Sequence, residues 1–98
     1  MKSKRKATEN VIRSSEINNE GILYRYSLVE NKSRSIPSYG LPLYTLRVEM
    51  TEADGSSTEA MARDLFRDMD KALSFYDKIV KNLATPIDLA YVVEDEMR

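Results

Sequence analysis

Carboxylates near the carboxyl end of the chain are of a type that can bind a divalent cation. The run Glu94-Asp95-Glu96 begins six residues after Asp88, so on a helix these side chains share roughly one face. Carboxylate oxygens are the ligands that Mg²⁺ and Ca²⁺ prefer. The run lacks the alternating ligands and central glycine of a calcium-binding loop. A solvated run of charge is the simpler interpretation, and a cation site remains an alternative.

The triplet Tyr24-Arg25-Tyr26 combines aromatic and basic side chains of the kind that contact nucleic acids. In a strand, consecutive side chains point to opposite faces, so both tyrosines face one way and Arg25 faces the other. Two core tyrosines beside a surface arginine are therefore the simpler interpretation. Weak nucleic-acid binding is an alternative function that would use Arg25 and other arginines.

The amino-terminal segment is basic and polar. Four of the first six residues carry positive charge: Lys2, Lys4, Arg5 and Lys6. A segment with so little apolar surface to bury is expected to be disordered. We therefore divide the chain into a basic, disordered tail over 1–19 and a single domain over 20–98. The tail can make weak, salt-sensitive contacts to phosphates, although a solubilising role is simpler.

The segment 31–42 is rich in serine, proline and glycine, which predicts a loop. Loops on a rigid sheet often hold functional residues, so this loop is the best candidate for a partner contact. A plain connection is the simpler interpretation. The candidate contact residues come from this loop and from the neighbouring strands: Arg25, Arg34, Tyr39 and Arg47.

Missing residue types exclude many activities. The sequence contains neither cysteine nor histidine. Zinc sites of the Cys/His type, a cysteine nucleophile, a histidine general base and disulfide bonds are therefore impossible. No glycine-rich phosphate-binding pattern is present. We predict no catalytic residue, no cofactor and no resident metal, and a protein that is not an enzyme.

Charge and hydropathy limit the partners and the compartment. Fifteen basic and sixteen acidic residues give a net charge of −1, too little to attract nucleic acid by bulk charge. No apolar run approaches the length of a membrane span, and no apolar run follows the basic amino terminus as in a signal peptide. We expect a cytoplasmic protein whose partner is another protein or a second copy, without membrane or small-molecule partners.

Three segments alternate apolar and polar residues as strands do, at about 22–29, 43–52 and 57–65. The first two place these side chains on a predicted core face: Ile22, Tyr24, Tyr26, Leu28, Tyr44, Leu46, Val48 and Met50. The other face mixes apolar and charged residues, so it can be solvated or can pair with a second copy.

Asp54-Gly55 predicts a hairpin with a two-residue turn between the second and third strands. That turn places Val48 opposite Met61, with Ala60 and Ala62 on the face away from the core. The third segment also has helical features, because a capping-box pattern at 56–59 precedes apolar spacing that continues to residue 83. The alternative fold has two strands and one long helix over 57–83.

Two helices are predicted at about 69–83 and 86–96. Asp68 or Asp70 can cap the first helix, and Thr85 followed by Pro86 begins the second. The acidic end of the second helix opposes the macrodipole, which indicates fraying or a partner for those charges. The predicted fold is α+β, a three-stranded antiparallel β-meander with both helices on one sheet face.

Four short segments are shared with a known family: Tyr24-Arg25-Tyr26-Ser27-Leu28-Val29-Glu30, Tyr39-Gly40-Leu41, Arg63-Asp64-Leu65-Phe66-Arg67-Asp68 and Thr85-Pro86-Ile87-Asp88-Leu89-Ala90-Tyr91-Val92-Val93-Glu94-Asp95. Through them the stretch from Tyr24 to Met97 resembles a family of short uncharacterised proteins from Firmicutes, a domain of unknown function. The resemblance implies a strand rather than a helix at 57–66. It implies no activity and no site residues.

The leading functional hypothesis is a small interaction or regulatory module that acts through a protein partner or by self-association. The open sheet face and the loop at 31–42 are the surfaces expected to make the contact. The two alternatives are a weak nucleic-acid-binding protein and a carboxylate-based site for a divalent cation.

Overall fold

A computed structural model describes residues 10–32 and 41–96, which contain four strands followed by two helices. The strands are β1 (Asn10–Asn19), β2 (Ile22–Lys32), β3 (Pro42–Thr51) and β4 (Ser57–Phe66), and the helices are α1 (Met69–Lys81) and α2 (Pro86–Glu96). The strands form one antiparallel sheet in chain order. The predicted α+β class, the meander and the two helices are confirmed, but the sheet has four strands rather than three.

The strand missing from the prediction is β1. The prediction of a disordered tail over 1–19 is wrong for Asn10–Asn19, which pairs with β2 along its length. A tight turn joins the two strands, with φ of 54° at Glu20 and 79° at Gly21, as a type I′ hairpin requires. A register shift between Val11 and Arg13 interrupts the alternation that would have revealed the strand. Residues 1–9 lie outside the described residues.

The third predicted segment is a strand, β4, and the long-helix alternative is wrong. The predicted register is also wrong, because the turn contains three residues rather than two. The Glu52 amide donates to the Ser56 carbonyl at 2.8 Å, and the Gly55 amide donates to the Glu52 carbonyl at 2.9 Å. Gly55 has φ of 93°, as a three-residue hairpin loop with a terminal left-handed glycine requires.

The longer turn shifts β4 by one residue, and a shift of one residue exchanges the two faces of a strand. Val48 therefore faces Ala60 rather than Met61, and Leu46 faces Ala62. The two alanines lie on the core side, and Met61 pairs with Arg47 on the opposite face.

Both helices begin at the predicted caps. The Asp68 carboxylate accepts a hydrogen bond from the Asp70 amide at 3.0 Å and caps α1. At the start of α2, the Asp88 amide donates to the Thr85 hydroxyl at 3.2 Å, and the Thr85 amide donates to the Asp88 carboxylate at 3.1 Å. This reciprocal pair is a capping box with aspartate in the acidic position.

The core lies between one face of the sheet and the two helices. Its buried apolar residues are Tyr24, Tyr26, Leu28, Tyr44, Leu46, Val48, Ala72, Phe75, Tyr76, Ile79, Ala84 and Leu89. Tyr26 lies at the centre, and its hydroxyl donates to the Ala84 carbonyl at 2.9 Å in the connection between the helices. Neither helix in the described residues is long and apolar enough to cross a membrane.

Candidate docking surface

The sheet face opposite the helices, which we call the open face, places Arg25 and Arg47 near each other. Arg25 pairs across the strands with Glu49, and Ser27 pairs with Arg47, so the two arginines are diagonal neighbours. Arg25 lies between two carboxylates, with Nε 2.8 Å from Glu16 and Nη1 3.7 Å from Glu49. Arg25 is therefore engaged in ion pairs along the sheet.

Arg47 has its own carboxylate partner, since its Nε lies 3.0 Å from Glu59. Both of the predicted contact arginines in the described residues thus have their charge neutralised by neighbours on adjacent strands. The other two predicted contact residues, Arg34 and Tyr39, lie outside the described residues, as does most of the loop at 31–42.

The open face also contains apolar side chains, but they are separated. Val11 is 58% exposed near one edge of the sheet, and Met61 is 38% exposed near the other. Val29 also lies on the open face, where it pairs with Val11 and Thr45, but its side chain is buried. Scattered single apolar residues are ordinary on protein surfaces and do not indicate an interface.

Both edges of the sheet are irregular and charged. On β1 the register shift lies beside Arg13, which extends to Asp77 of α1 at 3.4 Å. On β4 the register shifts opposite Thr45, and Asp64 adopts φ of 51° while its amide donates to the Thr45 hydroxyl at 3.0 Å. Irregular, charged edges disfavour the addition of a further strand. The edges are therefore poor candidates for self-association.

The cation site considered as an alternative at the carboxyl end is not assembled in the described residues. Asp88 caps the start of α2, and Glu96 lies 3.3 Å from the Lys78 ammonium on α1. No group of three or more carboxylates converges on a cation-sized position in the part of the chain that the structure describes.

The strongest departure from ordinary packing is on α2. Seven of its first eight residues are apolar, so the helix has apolar side chains on more than one face. Pro86 and Leu89 are buried against the rest of the molecule. Ile87 and Tyr91, one turn apart on the opposite side, are 72% and 70% exposed. A helix that is apolar all round is normally buried on every side.

We call the exposed side of this helix the α2 outer face. Helical geometry of 3.6 residues per turn places two large apolar side chains in its middle and carboxylates on both sides of them. The face consists of Ile87, Asp88, Ala90, Tyr91, Glu94 and Asp95.

A groove of about 390 Å³ lies beside the second half of this face, between α2 and the last turn of α1. Tyr91, Val92, Glu94 and Asp95 line it from α2, and Lys78 and Asn82 line it from the last turn of α1. Because Lys78 is paired with Glu96, the groove presents two further carboxylates beside an exposed aromatic ring. No ion pair joins Glu94 or Asp95 to another of the described residues.

The acidic end of α2 indicated fraying or a partner for its charges, but the sequence pattern did not single out Ile87 and Tyr91. The helical positions of the buried residues could have identified the exposed pair. With Leu89 and Val93 directed to the core, Ile87 and Tyr91 must lie on the opposite side of the helix.

The chain is similar to a known protein family. A model described as a family of unknown function, DUF6514, matches residues 5–98. The predicted resemblance to such a family is confirmed, and the match extends beyond the stretch from Tyr24 to Met97 to include β1. No curated protein and no solved structure matches the chain significantly.

Proposed function

The chain belongs to the DUF6514 family of unknown function, and we propose that it is a protein-interaction module whose docking surface is the α2 outer face. The observation that carries this proposal is the exposure of Ile87 and Tyr91 on a helix whose other side is already packed in the core.

Covering the exposed apolar surface of this face would supply free energy for docking. Burying an apolar side chain of this size stabilises a complex by about 1.5–3 kcal/mol relative to leaving it in water. Ile87 and Tyr91 are adjacent on the helix, so one partner segment can cover both. Aromatic residues are also enriched at protein interfaces because they combine a large contact area with a polar end.

The other surfaces support the proposal by contrast. The arginines of the open face are paired with carboxylates on neighbouring strands. The edge strands are bulged and charged. The α2 outer face instead combines two adjacent exposed apolar side chains with a groove beside them.

The experiment compares capture of partners by the native protein and by two double variants. Ile87→Ser with Tyr91→Ser removes the apolar centre of the α2 outer face without opening the core, since both side chains are mostly exposed. We expect this variant to keep the native circular dichroism spectrum and to lose the proteins that the native chain captures from its own cell lysate.

The matched control changes apolar residues of the open face. Val11→Ser with Met61→Ser removes the same kind of exposed side chain from the other side of the molecule. We expect this control to retain the captured proteins. The proposal would be rejected if the α2 variant retained the captured proteins while the open-face variant lost them. Docking would then be assigned to the sheet.

A further inference from the structure

We propose that the partner segment that docks on the α2 outer face is an amphipathic helix of another protein whose apolar stripe is flanked by lysine or arginine. This inference rests on the proposed function and adds the chemistry of the partner. It is carried by the placement of exposed carboxylates on both sides of an exposed apolar pair.

The groove adjoins the exposed apolar pair, because Tyr91 belongs to both. It lies between the last turn of α1 and the second half of α2, and its lining includes Tyr91 and Val92. A partner helix placed there contacts Tyr91, and it reaches Ile87 if it extends one turn further along α2. This is the common arrangement in which an amphipathic helix lies in an apolar groove.

The carboxylates of the groove favour a partner helix that has basic residues beside its apolar stripe. Glu94 and Asp95 lie one turn beyond Tyr91, and neither pairs with another of the described residues. They also lie at the carboxyl end of α2, where the helix dipole already carries partial negative charge. Cationic side chains of a partner would therefore be attracted by the carboxylates and by the helix end together.

Two other occupants are disfavoured by the same charges. An isologous contact with a second copy would bring Glu94 and Asp95 of both copies into one interface, and like charges oppose association. An anionic membrane surface would be repelled for the same reason. A basic segment of a different protein meets no such repulsion.

The test uses a short helical peptide of leucine and lysine, with leucine on one face, and a second peptide with glutamate in place of every lysine. Binding to the full chain is measured by fluorescence anisotropy at low and at high salt. We expect the lysine peptide to bind at least about tenfold more tightly than the glutamate peptide and to weaken as salt screens the charges.

The variant Glu94→Lys with Asp95→Lys tests which carboxylates are responsible. Cations are favourable at the carboxyl end of a helix, so this variant is expected to fold. The control Glu20→Lys with Glu52→Lys makes the same change in net charge at exposed turns of the sheet. We expect about tenfold weaker binding of the lysine peptide by the first variant and little change with the second.

The outcomes separate the partner's chemistry from the docking surface itself. Equal binding of the two peptides, or equal weakening by the two variants, would reject the basic partner. If captured proteins still depend on Ile87 and Tyr91, the docking surface would stand without that chemistry. Sedimentation of the free chain as a dimer that the Ile87→Ser/Tyr91→Ser variant dissociates would identify a second copy as the occupant and overturn the inference.

Discussion

Tyr26 connects the centre of the sheet to the helical layer by one buried hydrogen bond. Its side chain is fully buried, and its hydroxyl donates to the Ala84 carbonyl between α1 and α2. Burial, with a smaller contribution from the neighbouring Tyr24, raises the pKa of the Tyr26 hydroxyl to about 12. The position of α2, and hence of its outer face, depends on this contact.

Replacement of Tyr26 by phenylalanine is expected to destabilise the fold by about 1–3 kcal/mol, because the buried Ala84 carbonyl loses its donor. The measurement is the free energy of unfolding in urea at neutral pH. The control is Tyr91→Phe, which removes a hydroxyl from a side chain that is 70% exposed and should change stability by less than about 0.5 kcal/mol.

The alkaline range gives the same variant a second readout. Between the unfolded pKa of about 10 and the folded pKa of about 12, the unfolded chain releases the Tyr26 proton while the folded chain keeps it. Tyr26 therefore lowers stability with rising pH by about 1.4 kcal/mol per pH unit in that range. The free energy of unfolding of the Tyr26→Phe variant should therefore fall less steeply with pH, by that amount. Identical slopes for the two proteins would contradict the assigned contact.

At the scale of the elements, the parts that sequence could predict are those with local chemistry. The helix caps at Asp68 and Thr85 and the alternation in β2 and β3 are properties of adjacent residues. The missed strand β1 lacks such a property, because it lies at an edge and a bulge interrupts its pattern. The β4 register depended on the turn at Gly55 having three residues, which the dipeptide Asp54-Gly55 does not determine.

Deletion tests whether β1 belongs to the fold. Removal of residues 1–19 deprives β2 of its neighbour and removes the Ser15 partner of the Tyr76 hydroxyl and the Arg13 partner of Asp77. We expect the loss of several kcal/mol of stability or of cooperative unfolding, since small domains have only about 5–15 kcal/mol in total. The comparison is with removal of residues 1–9 alone, and equal stability of the two deletions would show that β1 is dispensable.

At the scale of the whole molecule, the sheet has a solvated open face and a face covered by helices, and the second helix has an uncovered side of its own. Sequence composition favoured an interaction module, and the acidic end of α2 indicated either fraying or a partner for its charges. The surface itself could not be read from the sequence, because the exposure of Ile87 and Tyr91 depends on which side of α2 packs against the core.

The most direct test of the docking surface is site-specific photo-cross-linking in the native cell. A benzophenone side chain replaces Tyr91 in one variant, Ser74 on the exposed side of α1 in a second, and Arg25 on the open face in a third. A docked partner places its atoms within reach of position 91 and leaves the other two positions in solvent. We expect a specific adduct at position 91 alone, and an adduct at position 25 with none at position 91 would contradict docking on the α2 outer face.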